Sequence, residues 1–339
     1  MSIKARKIDH IKICLDKDVQ FNKKNGFERY ELKHNALADF DFNDIDISGN
    51  FLGFEFQVPL IISSITGGCN EAEKINKNLA KVAQRLSIAM SCGSQKAMIK
   101  DEKLSHSYLV RDVAPDIFYI GNIGLDYLNN IDNFDRIRIA LTKIKAKAIF
   151  IHLNLAQELV QGEGERNFAN SRENLEHFIK FIDMPVLVKE VGFGISGEIA
   201  LELEKCNVVA IDIAGAGGTS WTKVEKYRQK DHRLAKRFAQ WGIPSAESLV
   251  QCRSAVKLPI IASGGIYDGI TACKAIALGA DLIGMAGPLL KEANKSSQAL
   301  EEYLENFILE LKTAMMLVGV KNLKELKNNE KIIKLYPFV

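Results

Sequence analysis

The sequence lacks any hydrophobic run long enough to cross a bilayer. Hydrophobic residues make up 47% of the chain, but they fall into short segments, and a membrane-spanning helix needs roughly 20 consecutive apolar residues. Residues 2–7 carry positive charge with no apolar segment behind them, which argues against a secretory signal peptide. We therefore expect a soluble, cytoplasmic protein without a membrane partner.

Cysteine is scarce and scattered. The chain of 339 residues has six cysteines and no C-x-x-C pair. This pattern argues against a disulfide framework and against a zinc site, and it is typical of a reducing compartment. The six positions are Cys14, Cys69, Cys92, Cys206, Cys252 and Cys273.

A strong excess of one charge is also missing. Lys and Arg number 45 against 42 for Asp and Glu, a net charge of +3, which argues against nucleic acid or another polyanion as a partner. Arg6 and Lys7 form a local basic pair, although such a pair at a terminus is usually only solvated. Residues 1–57 show no regular alternation of strands and helices, so we interpret them as an N-terminal extension that packs on the main domain.

Eight short apolar segments follow, and each ends in small or polar residues. Their alternation with amphipathic stretches, among them 71–86 and 269–278, predicts an α/β fold, a (β/α)8 TIM barrel over residues 58–318. The charged segment 221–242 is expected to form a lid or an insertion over the barrel mouth. A C-terminal helix at 298–317 and a tail at 319–339 follow. The predicted strands lie at 59–62, 88–90, 117–120, 148–153, 186–188, 208–213, 260–262 and 282–285.

The fourth segment carries the densest polar cluster. Its apolar run, 148–153, predicts a strand buried on both faces, and His152, Asn154, Gln157 and Glu158 crowd its carboxyl end. Ligands bind at that end of a parallel barrel. Glu158 is the fixed negative charge of the cluster, so it suits Mg²⁺. The alternative is that His152 and Asn154 cap the strand while the other two begin a helix.

Small residues after the last three strands predict a phosphate site. The loops Ser263-Gly264-Gly265 and Ala286-Gly287 leave backbone N–H groups accessible, and this pair of loops often binds phosphate in such barrels. The run G-A-G-G-T-S-W at 215–221 lets the backbone approach a ligand closely, and Thr219 and Ser220 add hydroxyls. Tight turns required for barrel closure are the alternative.

Lys189 ends the fifth predicted strand, where a cation is costly to bury unless it meets an anion. It could form a Schiff base, lie beside the electron-rich edge of a flavin ring, or extend to the mouth without a role. The first three strands end in uncharged donors and acceptors that suit the rim of a flat heterocycle, although each alone is more typical of a turn. These residues are Ser64, Thr66, Ser94, Gln95 and Asn122, with Lys96 beside them.

Taken in order, these motifs resemble one family, the type 2 isopentenyl diphosphate isomerases, which are FMN enzymes on a (β/α)8 barrel. The resemblance runs from residue 6 to about residue 290. The G-A-G-G-T-S-W run and the H-x-N-x-x-Q-E run at 152–158 are specific, whereas other flavin barrels share the GG loops. The remaining matches are Arg6-Lys7-x-Asp9-His10, Ile65-Thr66-Gly67-Gly68, Gly93-Ser94-Gln95, Gly121-Asn122, 188–192, 241–244 and 263–265.

The resemblance implies a ligand for each cluster: FMN active in its reduced form, Mg²⁺, NADPH as reductant and a diphosphate substrate. FMN would be held by Ser64, Ile65, Thr66, Ser94, Asn122, Lys189, Thr219, Gly264, Gly265, Ile266, Tyr267, Ala286 and Gly287. The substrate would contact Arg6, Lys7, Ser94, Gln95, Lys96 and Gln157. Glu158 would bind the metal, and the implied catalytic residues are Gln157, Lys189, His152 and His10.

The implied reaction moves a double bond between isopentenyl and dimethylallyl diphosphate in isoprenoid biosynthesis. One proton is added to the terminal alkene carbon and another is removed from the carbon two bonds away. Because protonation of an isolated alkene develops carbocation character, we expect reduced flavin to supply and retrieve the protons without net redox change. The resemblance also implies a homo-oligomer, a tetramer or an octamer.

Two departures from the family pattern stand out. Lys96 replaces a frequent Arg and cannot make the same bidentate phosphate contact, and Leu155-Ala156 replaces a common Pro-Leu pair. One alternative function is that of a hydroxy-acid oxidase or dehydrogenase, which needs a base and an Arg near the flavin, and strands seven and eight offer no such pair. A non-catalytic phosphate-binding module is another, but it has no need for Lys189, Gln157 and Glu158 together.

Overall fold

The computed structural model describes residues 3–229 and 231–335. Eight parallel strands, labelled β1 to β8, close into a barrel in which each strand pairs with its neighbours in the chain and β8 pairs with β1. The predicted (β/α)8 fold is confirmed. The strands are β1 Leu60–Ile62, β2 Ala89–Ser91, β3 Tyr119–Gly124, β4 Ala148–Leu153, β5 Val186–Glu190, β6 Ala210–Asp212, β7 Ile260–Ser263 and β8 Leu282–Met285.

Alternate residues of the strands build two separate cores. One set, which includes Ile61, Phe150 and Leu187, fills the barrel interior, and the other set packs outward against the helices. Strands that are buried on both faces have no polar side, which is why they appear in the sequence as continuous apolar runs. A short hairpin, Gly49–Phe51 with Phe54–Phe56, contributes Phe51 and Phe56 to the interior cluster.

Helices connect the strands, and side-chain caps begin several of them. Ser196 accepts a hydrogen bond from the backbone of Ile199, and Asp268 accepts one from Thr271, which satisfies an N–H group of the first turn. The predicted helices at 71–86 and 298–317 are confirmed. The connecting helices are Asn70–Leu86, Lys96–Lys100, Asp132–Lys143, Leu155–Val160, Ser171–Phe181, Gly197–Lys205, Trp221–Arg228, Arg233–Arg237, Ser245–Ala255, Gly269–Ala277 and Gly287–Lys295, and then Ser297–Val318 and Leu323–Leu326.

The N-terminal extension begins with a helix, Ile3–Asp16, that the sequence analysis did not predict. The chain then crosses the barrel mouth. There, the backbone N–H of Phe21 donates to Gly218, and that of Ser220 donates to Val19. Farther along, Tyr30–Leu32 pairs antiparallel with Ile333–Leu335, so the N-terminal extension is joined to the C-terminal tail.

The third strand lies later in the chain than predicted. It covers Tyr119–Gly124, so the residues expected to form a loop at 121–124 are part of the strand and pair with β4 up to Gly124 and His152. The two glycines that suggested a loop have a packing role. A Cβ at Gly121 would lie 2.1 Å from Leu141 Cδ2, so this strand needs a residue without a side chain there.

The long helix Ser297–Val318 has 22 residues and packs on the barrel through Leu300, Leu304 and Phe307. Charged residues such as Glu302 and Glu305 are exposed on the other side of the helix. Among residues 3–229 and 231–335, no helix combines the length and the apolar character that crossing a membrane requires.

Truncating the barrel interior should lower stability far more than truncating the surface. Phe150 is 0% exposed, so Phe150→Ala is expected to reduce the free energy of unfolding by about 3–5 kcal/mol through lost burial and a residual cavity. Phe181 is 41% exposed, and Phe181→Ala serves as the control, with an expected loss well below that. Urea unfolding followed by circular dichroism measures both, and equal losses would contradict this description of the core.

Candidate active site

A large cavity opens at the carboxyl ends of the barrel strands. Every predicted FMN residue lines it, and so do all predicted substrate, catalytic and metal residues except Gln95. The Ile3–Asp16 helix covers one side and contributes Arg6, Lys7 and His10 from the same chain. The carboxyl ends of the strands and the N-terminal extension therefore enclose the same cavity.

One wall of the cavity is positively charged. Arg6 and Lys7 line it from the N-terminal helix, and Lys96 lines it from the start of the helix Lys96–Lys100 that follows β2. Partial burial, together with the neighbouring Arg6, lowers the pKa of Lys7 to about 8. Lys96 donates to Asp126 Oδ2 at 2.6 Å. Three cations held this close favour an anionic ligand, which would relieve their mutual repulsion.

Glu158 faces the same wall beside two other oxygen donors, Asp126 and Asn154. Its Oε1 accepts from Asn154 Nδ2 and its Oε2 from the Glu165 backbone, both at 2.8 Å, while burial raises its pKa. Asn154 Oδ1 is buried without a hydrogen-bond partner, which is unfavourable unless a ligand reaches it. These hard oxygen donors fit Mg²⁺.

The protein alone does not complete a metal site in the part of the chain that the structure describes. There, no group of three or more His, Cys, Asp or Glu side chains is arranged to hold a metal ion. Mg²⁺ usually keeps several waters and binds through one or two carboxylates together with substrate phosphates. A magnesium at Glu158 would therefore depend on a phosphate-bearing ligand for its remaining contacts.

His152 is held in one tautomer. Its Nδ1 lies 2.7 Å from Asn122 Oδ1. The Nδ2 of Asn122 donates to the carbonyl oxygen of Cys92, which fixes the orientation of the amide. Because an amide oxygen only accepts, Nδ1 carries the proton and Nε2 is left as an acceptor. Burial, followed by the charge of Lys189, lowers the pKa of His152 to about 3, so the ring is neutral near pH 7.

Lys189 lies at the floor of the cavity beside a carboxylate that the sequence analysis missed. Its Nζ is 3.7 Å from Asp212 Oδ2, and the two side chains are 7% and 1% exposed. Asp212 Oδ1 accepts from Ser263 Oγ and from the Ala214 backbone, which fixes the carboxylate. The signal was present in the sequence, since Asp212, like Lys189, lies near the carboxyl end of an apolar strand.

Glu190 organises the loop that follows Lys189. Its Oε2 accepts from the backbone N–H groups of Val191, Gly192 and Phe193 at 2.6, 2.7 and 2.5 Å. Burial raises its pKa to about 7, in opposition to these hydrogen bonds. This side chain thus holds the loop so that Val191 and Gly192 line the cavity.

A second missed carboxylate, Glu225, joins the N-terminal helix to the barrel. Its Oε1 is 2.9 Å from His10 Nε2 and accepts from Gln157 Nε2 at 3.3 Å, and Arg228 pairs with its other oxygen. Burial lowers the pKa of His10, which favours the neutral ring. Glu225 is 215 residues from His10, so no local pattern could have connected them.

Gln95 is the predicted substrate-binding residue that does not line the cavity. It is 1% exposed, and its contact with the substrate stays a prediction. Its Nε2 donates to the carbonyl of Ala140, and its Oε1 accepts from the Asn122 backbone. Gln95 therefore supports β3 from behind, and its neighbours Ser94 and Lys96 face the cavity instead.

The loops after β6, β7 and β8 form a cradle of small residues at the opposite wall. Gly264 and Gly265 have φ angles of 99° and 77°, which other residues rarely adopt. A Cβ at Gly264 would lie 2.1 Å from the Gly215 carbonyl oxygen. Ala286 precedes the helix Gly287–Lys295, whose N-terminus attracts anions. These features suit a phosphate, and the phosphate site expected here stays a prediction.

Comparison with known proteins places this architecture in a family. The FMN-dependent dehydrogenase family model matches residues 143–333. The isopentenyl-diphosphate delta-isomerase of Pyrococcus abyssi is 45% identical over 333 residues, which cover 95% of this chain and 90% of that protein. The Nostoc sp. protein of the same name is 42% identical and covers 98% and 96%.

This chain belongs to the isopentenyl-diphosphate delta-isomerase family. The resemblance drawn from the sequence motifs is confirmed, and an FMN-dependent fold accompanies it. A third relative, from Methanothermobacter thermautotrophicus, is 42% identical over 332 residues.

Solved structures support the fold of this isopentenyl-diphosphate delta-isomerase family member. The flavin-binding domain of baker's yeast flavocytochrome b2 superposes with a TM-score of 0.65 at 20% identity and covers 92% of this chain and 77% of that one. A mandelate oxidase variant with (S)-mandelic acid gives 0.66 at 14% identity, with 96% and 94% covered. At these identities the likeness concerns the barrel alone.

The affinity of the cationic wall for an anion should weaken as pH rises through about 8. The pKa of Lys7 is lowered to about 8, so Lys7 is charged below that pH and neutral above it. Only the charged form attracts an anion. Calorimetric titration of the protein with inorganic diphosphate between about pH 6.5 and about pH 9.5 measures this dependence.

Diphosphate itself gains negative charge over this range, so the control is Lys7→Gln, which removes the titrating lysine and leaves the ligand unchanged. The ratio of wild-type affinity to Lys7→Gln affinity should be high at the acid end and fall above about pH 8. A ratio that stays constant would show that Lys7 does not lose its proton there.

Proposed function

We propose that this protein interconverts isopentenyl diphosphate and dimethylallyl diphosphate by a 1,3-proton transfer, with reduced FMN as the acid/base group. The names of its relatives and the FMN-dependent family model support the isomerase activity. The observation that carries the proposal is the two-sided cavity, with a phosphate cradle on one wall and three cations beside Glu158 on the other. Such a cavity suits a flavin nucleotide and a diphosphate side by side.

The cradle and the floor would hold FMN. Gly264, Gly265 and Gly287 would meet its phosphate through backbone N–H groups, with Thr219 adding a hydroxyl. Asn122 and Lys189 would lie at the polar edge of the ring. Bound reduced FMN supplies proton transfer without net redox change. The charge of Lys189 would stabilise an anionic form of the reduced ring, and the fixed Asp212 carboxylate keeps that cation in place.

The opposite wall would hold the substrate diphosphate. Arg6, Lys7 and Lys96 would neutralise its charge, and the unprotonated Nε2 of His152 accepts a hydrogen bond from a protonated oxygen or a bound water. Glu158 would hold Mg²⁺, which would supply further positive charge for the diphosphate. Lys96 makes a single-point contact where a guanidinium would make two.

Gln157, Glu225 and His10 would position the five-carbon chain of the substrate. Gln157 lines the cavity and is fixed by Glu225, which also binds His10 from the covering helix. This arrangement excludes water from the reacting carbons, and water would quench a carbocation-like centre. The N-terminal residues 1–57 would thus act as a substrate-binding extension of the barrel.

NADPH would supply the electrons that reduce the flavin before turnover. The predicted homo-oligomer and the predicted cytoplasmic location stay predictions.

Isomerisation should require reduced flavin but should not consume reductant. The purified holoenzyme, reduced anaerobically with NADPH and given Mg²⁺ and isopentenyl diphosphate, is expected to form dimethylallyl diphosphate over many turnovers per NADPH oxidised. Product analysis by NMR together with flavin absorbance measures both quantities. Turnover by enzyme whose flavin remains fully oxidised would contradict the proposal, as would one NADPH consumed per product.

Gln157→Ala should remove most turnover while FMN stays bound. Gln157 faces the reacting part of the cavity, and loss of a positioned proton-transfer or orienting group typically costs about 100-fold or more in kcat. The flavin absorbance per protein should equal that of the wild type. The control is Gln251→Ala, at a glutamine on the outer helix Ser245–Ala255 that bonds Glu247 instead. A Gln157→Ala enzyme with wild-type kcat would exclude this role.

A further inference from the structure

Two carbonyl groups of the phosphate cradle are held from outside the cavity. Ser245 Oγ donates to the carbonyl oxygen of Gly264, and Asn25 Nδ2 donates to that of Gly265 at 2.6 Å. Ser245 begins the helix Ser245–Ala255, while Asn25 belongs to the N-terminal segment that crosses the mouth. Two distant parts of the chain therefore hydrogen-bond to successive peptide groups of the loop after β7.

The hydrogen bonds to these two carbonyl groups fix the direction of the backbone N–H groups of the next residues, Gly265 and Ile266. A trans peptide is planar, and its C=O and N–H point in opposite directions; no cis peptide occurs among the described residues. With the Gly264 and Gly265 carbonyls turned outward, the N–H groups of Gly265 and Ile266 point the other way, toward the cavity that both residues line. Successive N–H groups of this kind form an anion-binding nest.

Asn25 is built rigidly into its position. Its Oδ1 accepts from the Phe27 backbone at 3.0 Å, and its own carbonyl accepts from Ala246 at 2.9 Å, so the amide orientation is unambiguous. Gly217 packs directly on it, because a Cβ at Gly217 would lie 2.4 Å from Asn25 Cα. These contacts join the loops after β6 and β7 through a single side chain.

Ser245 is equally constrained. It is 0% exposed, and its backbone N–H donates to the Ala216 carbonyl at 3.2 Å. One helical turn later, Ser248 is also 0% exposed, but its Oγ donates to Ile195, in the loop after β5, at 2.6 Å. Ser245 bonds to the loop after β7, whereas Ser248 bonds to the loop after β5. Ser248 is therefore a matched control for Ser245.

We propose that Asn25 and Ser245 are positioning residues that make the site selective for the phosphate-bearing flavin, FMN, over riboflavin. They act through the Gly265 and Ile266 N–H groups, without touching the ring or the substrate. The inference rests on the proposed binding of FMN. If a residue only stabilises the fold, its removal should lower the affinity for both flavins alike. If it orients the N–H groups of the nest, its removal should lower the affinity only for the flavin that carries a phosphate.

The test measures both affinities on the same apoprotein. Quenching of flavin fluorescence gives the dissociation constants of FMN and riboflavin for the wild type and for Asn25→Ala and Ser245→Ala. Each variant is expected to bind FMN about tenfold more weakly, the effect of one misaligned charge-assisted hydrogen bond. Riboflavin affinity should remain within about twofold of the wild type, so the FMN-to-riboflavin ratio falls.

Two controls remove a similar side chain from a neighbouring place. Ser248→Ala deletes an equally buried hydroxyl, and Asn22→Ala deletes an amide three residues before Asn25 that accepts from Lys223 instead. Both should keep the wild-type ratio. If Asn25→Ala and Ser245→Ala lowered the affinity for FMN and for riboflavin equally, or left the FMN-to-riboflavin affinity ratio unchanged, the inference would be overturned. The proposal that FMN is the cofactor would be unaffected. A wild type with no preference for FMN would overturn the proposed cofactor as well.

Discussion

Closure of the parallel barrel is the constraint on which the site depends. Because β8 pairs with β1 and all strands run the same way, every strand ends at one rim. The register then decides which ends meet. Lys189 and Asp212 are partners across β5 and β6, and Ser263 of β7 reaches Asp212. A buried cation thus obtains its counter-ion from the neighbouring strand, which stabilises both charges away from water.

The N-terminal extension turns this open rim into a chamber. The Ile3–Asp16 helix brings two cations to the barrel, and the network of His10, Glu225 and Gln157 fastens it there. The following segment bonds to the loops after β6 and β7 through Phe21 and Asn25. One stretch of chain therefore covers the cationic wall and supports the cradle of small residues, so the two halves of the proposed chemistry share a scaffold.

The sequence was informative where local pattern decides structure. Apolar runs ending in Gly, Ser or Lys indicated the strands. The site residues predicted at the ends of those strands line the cavity, with the exception of Gln95, since residues at a strand end must lie at the rim. The sequence was uninformative where a residue takes its role from a partner that is distant in the chain. Glu225 acquires its role from the distant N-terminal helix, and that helix has no strong amphipathic period. The Gln95 side chain is bonded to Ala140 and Asn122, away from the cavity.

The central claim is that FMN and a diphosphate occupy opposite walls of one cavity. A crystal structure of the reduced holoenzyme with Mg²⁺ and a non-reacting diphosphate analogue tests it most directly. The account predicts the flavin phosphate at Gly264, Gly265 and Gly287, the ring edge at Lys189, and the diphosphate between Lys7 and a magnesium on Glu158. A diphosphate bound away from the Ile3–Asp16 helix, or a flavin ring distant from Lys189, would contradict it.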